Sequence, residues 1–69
     1  MNRKDELEIV LEEILKFRQS VYRLRHDLKM ALLKGENHEW VQIAYMDTSR
    51  TLDNIAESLK SLREELRNL

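Results

Sequence analysis

The chain contains no cysteine, no proline and a single glycine, Gly35. Without cysteine, neither a disulfide framework nor a thiolate metal site can stabilise a small fold. Prolines and glycines punctuate loop-rich and β-rich folds, so their scarcity points to long uninterrupted helices. A single glycine also rules out a glycine-rich phosphate loop. Aromatic residues are only 6% of the 69 residues, and no apolar run approaches the roughly 20 residues that span a bilayer. The charges nearly cancel, at a formal net charge of −1, which argues against a general nucleic-acid coat with a strongly basic surface. The first six residues lead into charged sequence and not into an apolar signal region, so a cytoplasmic location is expected. A chain of this length makes one domain, 1–69, with a modest core, and oligomerisation is a common remedy for that.

What is present is a heptad pattern. Leu7, Val10, Ile14, Phe17, Val21, Leu24, Leu28 and Ala31 alternate spacings of three and four, the period at which two helices share a seam. A second stripe reads Val41, Tyr45, Thr48, Leu52, Ile55, Leu59, Leu62, Leu66 and Leu69, with Thr48 its one polar member. A buried Thr48 can bond its hydroxyl back to a carbonyl one turn earlier. Asn2 or Asp5 can cap the first helix, Gly35 can take the left-handed conformation that ends it, and Asn37 can cap the second. The pattern predicts an all-α chain with helices at about 3–34 and 38–68. The short link between them predicts an antiparallel hairpin. With the bend near residue 36, opposed layers should total 72 or 73, so that Val21 meets Leu52, Leu24 meets Thr48, Phe17 meets Ile55 and Ile14 meets Leu59. The first helix is acidic early and basic late, and the second is acidic early. Folding back therefore sets basic residues against acidic ones.

A two-helix seam leaves one side of its own core residues wet. Ile9, Leu11, Leu15, Tyr22, Met30, Leu32, Leu33, Trp40, Ile43 and Met46 are further apolar residues off the stripes. The economical solution is a homodimer of two hairpins, a four-helix bundle with two-fold symmetry. The alternative is a lone hairpin that completes its core on another protein. Met30, Leu33, Trp40, Ile43 and Met46 gather toward the bend. They can cap the core, or serve as a partner-binding patch, because Trp and Met are frequent anchors at adaptable interfaces.

Catalytic patterns are sparse. His38-Glu39-Trp40-Val41-Gln42 begins like a zinc-protease helix but has glutamine where the second imidazole is required. Serines 20, 49, 58 and 61 have no glycine-rich elbow or local histidine to activate them. No cofactor or metal is expected. Arg18, Tyr22, Arg25 and Lys29 share one face of the first helix and could lie along nucleic-acid phosphates. Their more ordinary role is to face the acidic half of the second helix.

Ser49-Arg50-Thr51-Leu52-Asp53 fits the S-x-x-L-D signature of the small sporulation-regulating aspartyl-phosphate phosphatases of bacilli, the stage-zero E-like family. Leu24-Arg25 with Leu28 resembles that family's first-helix pattern. The resemblance implies an antiparallel hairpin that binds a phosphorylated response regulator and promotes loss of its aspartyl phosphate. Ser49 and Asp53 would then face the regulator. The hairpin architecture and the Gly35-to-Trp40 spacing are also similar to the small hairpin co-chaperones of type III secretion needles. Taken together, the residues point first to a non-enzymatic protein–protein interaction or regulatory module. The phosphatase-like regulator, a nucleic-acid-binding bundle and a secretion co-chaperone are the alternatives.

Overall fold

The computed structural model describes residues 2–69 and consists of two helices, α1 (Arg3–Leu33) and α2 (Glu39–Arg67), folded as an antiparallel hairpin. The side chain of Asn2 accepts a hydrogen bond from the backbone N–H of Asp5 at 2.9 Å, which satisfies one orphan donor of the first turn. At the other end of α1 the Gly35 N–H donates to the Leu32 carbonyl and the Glu36 N–H to the Ala31 carbonyl. This paired closure requires a left-handed residue just beyond the helix, and Gly35 supplies it with φ +88°. The second helix departs from expectation. His38, not Asn37, is its N-cap, and no side chain bonds the free N–H groups there. The hairpin measures 50 × 16 × 14 Å, so it is a rod one helix pair thick.

The buried residues are Leu7, Val21 and Leu28 of α1 and Val41, Thr48, Ile55 and Leu59 of α2. Val21, Ile55 and Leu59 form the central cluster, with Leu11, Ile14, Leu15 and Leu52 packed against it. Thr48 lies in the seam, and its hydroxyl donates to the Tyr45 carbonyl of its own helix at 2.6 Å. The polar layer therefore satisfies itself locally and takes nothing from α1.

The first-helix stripe needs correction. Leu7, Ile14, Val21 and Leu28 line the seam as expected, but Val10, Phe17 and Leu24 are 44%, 55% and 52% exposed. Leu11, Arg18, Arg25 and Leu32 are half-buried in their place. Residues 7, 14, 21 and 28 repeat every seventh position, and either flank continues the same three-four spacing. The apolar flank, Val10–Phe17–Leu24, was the one expected inside. The helical period allows either flank, and the side chains of the facing helix decide between them. The bulky flank of α2 (Tyr45, Leu52, Leu59) lies on the arginine side, and its small flank lies on the other, where Thr51 and Ser58 line the groove beside Phe17. Arginine stems cover apolar surface while their heads reach outward, so bulky residues and long stems fill one side of the seam. A shallow groove remains on the other. The expected layer of Leu24 against Thr48 is not formed, and Phe17 borders Ile55 only across this open groove.

Register and charge follow the same pattern. Among the described residues the cross-helix polar contacts are Arg25 over the Tyr45 ring and Arg3 with Glu65, which pair residues totalling 70 and 68, within about one turn of the expected layers. Arg3–Glu65, at 3.1 Å and exposed, is the only cross-helix ion pair among the described residues. Lys16 pairs within α1, with Glu12 and Glu13. The expected lengthwise opposition of charges thus yields one contact, at the open end. Exposed pairs of this kind contribute about 0–1 kcal/mol each, so packing and the Gly35 turn determine the topology.

Candidate functional site

The two broad faces of the hairpin differ in chemistry. One carries the groove. Ile14, Phe17, Thr51, Asn54, Ile55 and Ser58 line its middle, and Val10, Glu57, Ser61 and Leu62 extend it toward the open end. The ridge on the α1 side is apolar, and the α2 side carries the small polar residues Thr51, Asn54, Ser58 and Ser61, about one turn apart, with Glu57 among them. Such a row lets another helix approach closely, while the Val10–Phe17–Leu24 ridge offers it apolar surface to bury. No group in the middle of the groove is charged, and no nucleophile–base pair is formed there.

The opposite face is cationic. Arg18, Tyr22, Arg25 and Lys29, expected to share one side of α1, do so at spacings of four and three. Arg18 and Arg25 are half-buried against α2, whereas Tyr22 and Lys29 are exposed. The Arg25 guanidinium carbon lies 5.1 Å from the Tyr45 ring centroid, a cation–π contact. The Arg25 Nε is buried with no hydrogen-bond partner among the described residues. Lys60 and Arg63 of α2 lie on the same side by the helical period. None of these cations forms an ion pair among the described residues. Ser49 and Asp53 are one turn apart on the α2 margin of this face, Ser49 half-buried and Asp53 exposed. Asp53 therefore sits at the same level of the rod as Arg18, with no ion pair drawing it back.

The bend-end residues are all on the surface: Met30 is 40% exposed, Leu33 71%, Trp40 66%, Ile43 50% and Met46 67%. The helical period turns Met30 and Leu33 to the outer side of α1. It leads Trp40, Ile43 and Met46 from the groove face around the outer side of α2. They form an apolar collar around one end of the rod and not a single flat patch. His26 and His38 are exposed, on α1 and at the α2 N-cap.

Sequence reasoning did not single out Val10, Phe17 and Leu24 as surface residues. The available signal was Arg18 and Arg25, which recur at heptad spacing on the opposite flank and whose long stems can substitute for a leucine. The chain matches no protein-family model, no curated protein and no solved structure in the comparisons made. No helix among the described residues is long and apolar enough to cross a membrane.

Proposed function

We propose that this chain is a small non-enzymatic protein–protein interaction module that works as a homodimer and engages another protein through the surface its own fold leaves open. The observation that carries this reading is the distribution of large apolar side chains. Phe17, Leu24, Leu33, Trp40 and Met46 are each at least half exposed, while the core of the hairpin is only a few side chains wide. Scattered exposed apolar residues are ordinary, but an apolar stripe aligned along one face is the pattern of a docking site. Trp and Met in the collar suit a second, adaptable partner.

Affinity capture with the wild-type chain and with Trp40→Ala/Met46→Ala tests the collar. A specific protein retained by the first and lost by the second supports it. An identical set of bound proteins would remove the collar from the proposal.

A second reading is favoured by one placement, the exposed Asp53 one turn after Ser49 at mid-helix, where a partner could reach both. On that reading the chain resembles the sporulation-regulating phosphatases in action and promotes loss of an aspartyl phosphate from a response regulator. Asp53→Ala should then abolish dephosphorylation of a candidate regulator with helicity intact, and unchanged dephosphorylation would remove this reading.

A further inference from the structure

The groove beside Phe17 is the strongest unpartnered feature of the molecule. We infer that it is the dimer face, covered by a second copy of this chain lying face to face along the whole rod about a two-fold axis at the level of Phe17 and Asn54. This rests on the homodimer proposed above and specifies its surface.

Three observations favour a second copy. The first is area. The chain exposes 5533 Å², against about 4600 Å² expected of a compact monomer of 8.3 kDa. The difference is close to the roughly 800 Å² that each partner buries in a stable interface. The second is centring. Phe17 and Asn54 lie within one residue of the midpoints of α1 (Arg3–Leu33) and α2 (Glu39–Arg67). A two-fold axis at their level therefore superposes the full length of both rods and leaves no overhang. An isologous contact needs a self-complementary surface. About this axis the apolar ridge of α1 meets its own copy and the row of small residues on α2 meets its own copy, so like surface packs on like.

The third observation is charge. The middle of the groove carries none, and Glu57 toward the open end is the one charged residue of its lining. The opposite face carries Arg18, Arg25, Lys29, Lys60 and Arg63 without ion pairs among the described residues. Two copies meeting through that face would set cation against cation, which disfavours association. Pairing through the groove instead leaves both cationic faces outward.

The absence of cysteine makes the test direct. Asn54→Cys places one thiol at the centre of the groove face. Lys60→Cys places one on the cationic side, and both sites are exposed. Sedimentation equilibrium of the wild type is measured first, followed by treatment of each variant with a flexible bis-maleimide. The expected result is a two-chain mass, with a covalent dimer from Asn54→Cys and little from Lys60→Cys. Phe17→Asp should reduce the mass to one chain with circular dichroism still helical. A one-chain mass for the wild type at all concentrations overturns the homodimer itself. A two-chain mass with cross-linking through Lys60→Cys and not Asn54→Cys overturns the face and leaves the homodimer standing.

Discussion

Replacing Phe17 and Leu59 by alanine, one at a time, separates the two kinds of packing this hairpin uses. Leu59 is 3% exposed and belongs to the central cluster with Val21 and Ile55. Its truncation should cost about 2–5 kcal/mol wherever the chain is, because the cavity opens inside the hairpin. A domain of this length has a total stability of only about 3–10 kcal/mol, so Leu59→Ala should leave it marginally folded. Phe17 is different, because 55% of it remains open in the hairpin. Full burial of such a side chain contributes about 1.5–3 kcal/mol. The part left for a second copy is therefore about 0.8–1.7 kcal/mol per chain, or about 1.7–3.3 kcal/mol per dimer. At 1.4 kcal/mol per tenfold, Phe17→Ala should weaken the dimer about 15- to 200-fold. The assay is thermal unfolding followed by circular dichroism over a dilution series. Wild type should show a Tm that rises with concentration. Phe17→Ala should melt like wild type only at much higher concentration, whereas Leu59→Ala should melt lower at every concentration. If Phe17→Ala lowers Tm equally at all dilutions, the side chain acts inside one chain and the argument about the open flank is wrong.

Other substitutions probe the remaining features. Gly35→Ala should destabilise by about 1–2 kcal/mol from the positive φ alone, since nothing lies within 4 Å of the added Cβ; urea unfolding with no change would mean that the turn relaxes freely. Thr48→Val should be neutral or stabilising by up to about 1 kcal/mol, because the hydroxyl bonds only its own helix; a large loss in chemical denaturation would reveal a partner across the seam. Arg25→Met should raise the urea midpoint. It relieves a buried donor that costs about 1–3 kcal/mol unsatisfied, against about 0.5–1 kcal/mol of cation–π attraction lost with Tyr45. A lowered midpoint would show that the guanidinium contributes more than its visible contacts.

The hairpin itself was legible because several signals agreed. The two apolar stripes, the Asn2 cap and the single glycine at the bend agree on two helices and one reversal, and the Gly35 closure has the hydrogen bonds that residue type implies. The rotation of α1 was not legible from the same stripes. Position 17 and position 18 are equally compatible with a seam through Leu7, Ile14, Val21 and Leu28, and ranking them by polarity favours Phe17. What decides is the shape of the facing helix, whose bulky residues fall on one flank and small ones on the other. That is a property of both helices together and of the long aliphatic stem of arginine. The charges of the two helices pair less than their order in sequence suggests, for a similar reason. Residues of opposite sign at matching heights pair only if they sit beside the seam, and most point away from it. The bend-end residues lie near one another in sequence, but the period distributes them around the rod.

Small-angle scattering tests the central claim, that a second copy covers the open flank of this hairpin along its length. One hairpin has a Cα radius of gyration of 15.7 Å. Stacking two face to face at a helix-packing distance of about 10 Å raises this only to about 16.5 Å while the scattering mass doubles. A two-chain mass at nearly the single-hairpin radius is the predicted result. A one-chain mass, or a two-chain mass with a radius enlarged as by end-to-end association, would contradict it.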